Sequence, residues 1–302
     1  MTAQASAPTR YMERTRRYYL ALGYDNPYAW AHHESAPFHP HSLPLADTRV
    51  TLITTAAPFQ ADKGPQGPRA PYNAGPKFYK VYSGDTQQSH DVRIAHVAID
   101  RYHTHMEDMN SWFPLPAMQR LAAQGLFKLA PRFHGLPTNR SQRHTLGVDV
   151  PDLIARCQQD QVNAALLVAN CPVCHQSLSL AARELEAAGI ATVVMGCARD
   201  IVEHCAVPRF LFSDFPLGNA AGKPHDSASQ EDTLRLALQL LCEAKGSQTT
   251  WQSPQRWSDT DAWKADYANP ELLSAEELAS LRDEAERVRI EAKALREKTL
   301  QG

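Results

Sequence analysis

The feature that most constrains the fold is a run of short, continuously apolar segments spaced by helix-length stretches in the second half of the chain. Residues 164–169 (Ala-Ala-Leu-Leu-Val-Ala), 191–195 and 209–212 are too short for helices and lack the polar alternation of a strand with one wet face. Between and around them, helical patterns are expected at 149–159, 173–188 (ended by Gly189), 199–205 and 230–244. Strands buried on both faces and separated by helices form parallel β-α-β units. The expected fold is α/β, a doubly wound, mostly parallel sheet in a three-layer sandwich, with an N-terminal helical arm and a C-terminal helix.

The first half reads less cleanly. Residues 9–22 space Tyr11, Thr15, Tyr18, Tyr19 and Leu22 as an amphipathic helix, and 25–44 form a Pro-, His- and aromatic-rich extended connection. Strands are expected at 50–55, 78–82, 92–98 and 127–131, with a helix at 114–124. Residues 246–269, polar with Trp251, Trp257 and Trp263, should wrap over the surface. Ser274-Ala275-Glu276-Glu277 is a capping box opening a helix to about residue 300. Its stripe of Leu278, Leu281, Ala285, Val288, Ala292 and Leu295 suits docking on its own domain, or a second copy in a homo-oligomer. Three segments result: the helix and arm 1–47, an α/β domain 48–245, and a wrapping segment with its helix, 246–302.

A chain of 302 residues, 43% hydrophobic, is long enough for a large core, and a net charge of −2 provides no field that would recruit nucleic acid or an acidic membrane surface. No secretory signal or membrane-length apolar run is apparent, so a cytoplasmic location is expected. Six cysteines in such a chain, two of them in a Cys-x-x-Cys, favour reduced, chemically active thiols over structural disulfides.

That motif, Cys171-Pro172-Val173-Cys174-His175, follows the expected strand 164–169 after Asn170 alone. Functional groups of a parallel sheet gather at the carboxyl ends of its strands. Pro172 suits the first turn of the next helix, which places Cys171 at or near its N-cap, where unpaired N–H groups and the helix dipole stabilise a thiolate. Cys171 is then the nucleophile. Cys174, one turn on, can attack a sulfur adduct on Cys171 and resolve it as a disulfide. His175 is given a supporting part, lowering the thiol pKa or carrying a proton. Half of a zinc or iron–sulfur site, with Cys197, His204 or Cys205 as further ligands, and a pair of inert buried cysteines remain open. Cys157 and Cys242 are read as core residues.

Elsewhere the signals are weaker. His103 and His105 would share a face in an extended segment, as a metal pair does, but solvated loop histidines are the simpler reading; so too for His32, His33, His39, His41, His134 and His144. There is no G-x-G-x-x-G after a strand and no P-loop, so no nucleotide cofactor has a supporting motif. Residues 217–223, Gly- and Ala-rich after the strand 209–212, either line the pocket with backbone N–H groups or form a plain turn.

The order of these features resembles the selenoprotein B components of glycine, sarcosine, betaine and D-proline reductases. The resemblance spans about 50–244. It is carried by Thr54-Thr55-Ala56-Ala57, Ala61-Asp62-Lys63, Ser83-Gly84-Asp85, His96, Asp108-Met109-Asn110, Phe113-Pro114, Ala130-Pro131, the Cys171–His175 motif and Ala188-Gly189-Ile190. It implies a cysteine-based reductase in which Cys171 stands where the D-proline reductase member carries selenocysteine, and Cys174 resolves. It further implies that His96, Asp108 and Asn110 bind or orient substrate, turn and capping residues being the equally open alternative, that a dithiol supplies electrons with no other bound cofactor and no metal, and that a pyruvoyl-bearing partner subunit or a thiol reductant protein takes part. The expected substrate is a small nitrogen- or sulfur-containing metabolite. Non-redox alternatives are a cysteine-nucleophile desulfurase, hydrolase or racemase, or a metal-binding assembly subunit.

Overall fold

The computed structural model describes residues 7–24, 28–63, 78–94, 98–100, 102–104, 106–138 and 141–301. The strands are β1 (Arg49–Thr54), β2 (Ala57–Pro58), β3 (Tyr82–Asp85), β4 (Val92–Arg93), β5 (Lys128–Leu129), β6 (Arg132–Gly135), β7 (Ala164–Val168), β8 (Ala191–Gly196), β9 (Arg209–Phe212) and β10 (Thr249–Gln252). The helices are α1 (Tyr11–Ala21), α2 (Leu115–Ala123), α3 (Gln142–His144), α4 (Val150–Gln159), α5 (Pro172–Ala187), α6 (Arg199–Cys205), α7 (Ser227–Glu243), α8 (Trp263–Asp266) and α9 (Ala275–Gln301).

The main sheet runs β10-β9-β8-β7-β1-β6-β3, with β5 pairing beside β6 on β1. All pairings in it are parallel except β3 with β6. The central strands are apolar throughout because both faces are covered. Leu166, Val168, Val193 and Met195 pack with residues of α2 and α7, whereas Ala165, Leu167, Val194 and Phe210 pack with residues of α4 and α5. The result is the expected α/β sandwich of two helical layers around a mostly parallel sheet.

This order creates a switch point. From β1 the chain crosses to β5 and β6 on one side; from β7, on the other flank of β1, it crosses to β8. The loops leaving β1 and β7 therefore diverge and leave a crevice at their carboxyl ends, where open α/β sheets hold ligands.

Several expectations shift. The strand expected at 78–82 lies at 82–85, because Gly84 and Gly135 let the rings of Phe133 and Tyr82 lie directly on the backbone; a Cβ on Gly135 would be 1.8 Å from Tyr82. The strand expected at 92–98 is the two-residue β4, paired antiparallel with β2. The stretch read as surface wrapping contains β10, an edge strand parallel to β9, where Thr249, Thr250 and Trp251 supply β-favouring side chains. His134 is a correction: it lies in β6, wholly buried, with Nδ1 2.9 Å from Ser83 Oγ, and burial lowers its pKa to about 4.

The terminal helices dock on each other. Leu278, Leu281 and Ala285 of α9 cluster with Tyr18 and Leu22 at the end of α1. At the other end of α1, Tyr11 meets Tyr267 edge-on at 5.1 Å, and Asp200 of α6 accepts the Met12 N–H at 2.8 Å.

Candidate functional site

Cys171 is the N-cap of α5. Its backbone is extended (φ −125°, ψ 168°), and its sulfur accepts the Cys174 N–H at 3.2 Å, satisfying one of the donors that every helix start leaves open. Pro172 at the first helical position costs no hydrogen bond there. The turn brings the Cα atoms of Cys171 and Cys174 to 4.9 Å, with the sulfurs at disulfide distance. Cys171 is 4% exposed and Cys174 wholly buried.

His175 holds this turn in place. Its Nε2 accepts the backbone N–H groups of Cys197 (2.9 Å) and Ala198 (3.1 Å), so the ring proton must reside on Nδ1, which donates to the Cys171 carbonyl at 2.7 Å. Burial pushes the imidazole pKa down to about 4, against the opposing pull of the Cys171 carbonyl. The ring is therefore neutral with both nitrogens occupied, tying the start of α5 to the loop after β8. Gly196 makes room for it: a Cβ there would lie 2.6 Å from the ring.

Asn170 sits between the last residue pairs of β7 and Cys171, wholly buried, and donates from Nδ2 to Thr55 Oγ1, just past β1, at 3.1 Å. The switch-point crevice is thus bridged by Thr55 and Asn170, with Cys171 one residue on. Among described residues, no group of three His, Cys, Asp or Glu side chains is placed to hold a metal. Cys197 contributes its backbone to His175, and its thiol is buried with its pKa raised by desolvation; His204 stacks on His32 at 4.4 Å.

A thiol pair at the switch point of such a sheet can be set beside a known protein. The chain is 28% identical over 208 residues to the D-proline reductase subunit gamma of Acetoanaerobium sticklandii, an alignment covering 68% of this chain and 82% of that one. That likeness supports the resemblance to the glycine/D-proline reductase components. No protein-family model matches the chain, and no solved structure does. Among described residues, no helix is long and apolar enough to cross a membrane.

The other proposed site residues lie apart from the thiols in their bonding. Asp108 Oδ1 accepts both the backbone N–H (3.0 Å) and the side-chain amide (2.8 Å) of Asn110, and Oδ2 accepts from His225 N–H and Gln230 Nε2, each at 2.7 Å. Burial would raise the Asp108 pKa, but these donors outweigh it and hold the carboxyl below its usual range. The pair ties the 3-10 turn Met109–Ser111 to the start of α7; among described residues no hydrogen bond joins either to Cys171. His96 and His105 lie outside the described residues. His103 Nδ1 faces the buried Asp100 carboxylate at 3.1 Å.

In the loop 217–223, the Asn219 N–H donates to the Pro216 carbonyl, Ala221 to Ser111 and Lys223 to Ser229 Oγ of α7. A cavity of about 240 Å³ lies away from the thiols, between α1 and the start of α9, lined by Tyr18, Ile99, Tyr102, Asp266, Leu272 and Leu281 among others. Asn170 and Thr55 were not singled out as site residues from sequence; the signal that could have found them is their position one or two residues beyond two adjacent buried strands.

Proposed function

We propose that this protein is the thiol-bearing component of a reductase in which Cys171 attacks a small nitrogen-containing substrate and Cys174 resolves the adduct. The observation that carries the reading is the Cys171 sulfur at the α5 N-cap, receiving the Cys174 N–H and lying at disulfide distance from the Cys174 sulfur, at the switch point of the sheet. A helix N-terminus favours thiolate over thiol.

In the reductive reading the Cys171 thiolate attacks the carbon bearing nitrogen; the carbon–nitrogen bond breaks and the departing nitrogen takes a proton. The Cys174 thiolate then attacks the Cys171 sulfur, the carbon–sulfur bond breaks, the carbon takes a proton, and a Cys171–Cys174 disulfide remains. An external dithiol returns both thiols with two electrons. His175 acts as a positioning residue: it fixes the Cys171 carbonyl and the first turn of α5, and its occupied nitrogens leave proton transfer to other groups. Asp108 and Asn110 shape the loop that faces the start of α7, and through it bind substrate. The relative is named as one subunit of a D-proline reductase. On that likeness D-proline is the first substrate to test and a partner subunit the first protein to add.

The test is a single turnover of fully reduced protein with D-proline, with and without a partner subunit, counting free thiols. Loss of two thiols per chain, absent in Cys171→Ser, is expected, and Cys174→Ser should accumulate a substrate adduct on Cys171 visible by intact mass. Turnover that consumes no thiols would replace the reductive reading with a non-redox one, and turnover in Cys171→Ser would remove Cys171 from the chemistry.

A further inference from the structure

A buried polar atom without a partner costs on the order of 1–3 kcal/mol, so proteins keep few of them. Asn170 is wholly buried, donates from Nδ2 to Thr55 Oγ1, and leaves Oδ1 with no hydrogen-bond partner among the described residues. It lies where such a vacancy has consequence. The register aligns the ends of the neighbouring strands: Val168 pairs with Thr54 and with Met195, and the Ala169 N–H continues the ladder to the Met195 carbonyl. Asn170 is the next residue, between the diverging loops of β1 and β7, and the residue after it is Cys171.

We propose that Asn170 positions the substrate: its free carboxamide oxygen accepts a hydrogen bond from an N–H or O–H group next to the atom that Cys171 attacks. The bond to Thr55 holds the amide so that the donor end is committed to the protein and the acceptor end is offered to the ligand. Thr55 is thus a positioning residue acting through Asn170. The ligand class follows: small molecules with a hydrogen-bond donor beside the reacting carbon. This rests on Cys171 as the nucleophile.

The experiment uses two alkylating probes of equal chemistry. Iodoacetamide carries N–H donors beside its reacting carbon; 2-iodo-N,N-dimethylacetamide carries none. The reduced, full-length protein is treated with each, and the rate at Cys171 is followed by peptide mass spectrometry, with free cysteine in solution as reference. The ratio of the two rates should exceed that of free cysteine by about ten-fold, the worth of one hydrogen bond. Asn170→Leu should bring it within two-fold of free cysteine, and Thr55→Val should lower it by a smaller factor.

A preference caused only by the size of the dimethyl reagent would persist in Asn170→Leu, and that result overturns the proposal, as does a wild-type ratio equal to that of free cysteine. Should Asn170→Leu fail to fold, an unchanged ratio in Thr55→Val overturns it. Labelling of Cys171 by neither reagent would instead remove the nucleophile on which both readings rest.

Discussion

The two ends of α5 carry two buried polar arrangements that differ in how completely their atoms are used. At the carboxyl end Glu186 is saturated. Its Oε1 accepts from Arg209 Nη1 (2.6 Å), Thr192 N–H (2.5 Å) and Thr192 Oγ1 (2.9 Å), and its Oε2 accepts from the His39 N–H (2.5 Å). Arg209 also donates to the His39 carbonyl at 2.8 Å and lies over the Phe38 ring, leaving only Nε without an acceptor. This end fastens the N-terminal arm to the starts of β8 and β9. At the amino end His175 is equally saturated, but Asn170, the residue before Cys171, keeps its Oδ1 without a partner among the described residues. The Glu186 carboxylate, fully used, ties elements of the fold together; on the proposal above, the open Asn170 oxygen is where a ligand completes the bonding.

The sharpest way to break this comparison is at Arg209. Burial pushes the Glu186 pKa up and the Arg209 pKa down, each toward its neutral form, and their mutual attraction opposes both shifts. Removing one partner leaves the other buried and unpaired, so Arg209→Met should lose about 3–5 kcal/mol of unfolding free energy in urea titrations. The double variant Glu186→Leu with Arg209→Met should recover much of it. If the two losses simply add, the pair is not a coupled unit and the contrast fails.

A pH titration comes next. His175 and His134 both have pKa values lowered to about 4 by burial, against 6.5 when exposed. The unfolded chain therefore binds more protons between those values. The stability they contribute is complete above about pH 6.5, is lost as pH falls toward 4, and changes no further below. Each histidine accounts for about 3 kcal/mol over that window. Urea midpoints at pH 7.5, 5.5 and 4.5 measure the slope, and His175→Gln should make it shallower. An unchanged slope would show that the ring is not held neutral at the amino end of α5.

Gly196→Ala should act in the same place with a smaller effect. Its Cβ would stand 2.6 Å from the His175 ring and displace the bonds to Cys197 and Ala198. A loss of about 1–3 kcal/mol is expected, as for other overpacked sites. The Cys171 alkylation rate should change with it, since the ring also fixes the Cys171 carbonyl.

What could be read from sequence divides along the same line. β7, β8, β9 and α6 were legible nearly to the residue, because strands covered on both faces are continuously apolar and their helices end at Gly189 or a change of period. The N-cap position of Cys171 was legible because Pro172 marks the first turn. The first half was not: the positions of β3 and β4 depend on aromatic rings lying over glycines 84 and 135, a contact between segments far apart in the chain. His134 looked like a loop histidine because its burial comes from pairing with β3 and β1. Asp108 and Asn110 are suggested by the family resemblance alone, and their bonds to each other, His225 and Gln230 join segments that spacing does not bring together.

The smallest expected effect on stability is at the residue with the largest expected role in chemistry. Cys171 has an extended backbone and caps α5 through its side chain, a geometry serine satisfies at least as well. Compared with wild type under reducing conditions, Cys171→Ser should stay within about 1 kcal/mol in urea unfolding, while thiol loss with substrate disappears. The two ends of α5 are then separated by Arg209→Met in β9, which destabilises the protein through Glu186 without touching the thiols, and Cys171→Ser, which silences the thiols without destabilising the protein. A drop of more than about 2 kcal/mol for Cys171→Ser would place the sulfur among the groups that hold the fold and leave the two ends of α5 doing the same work.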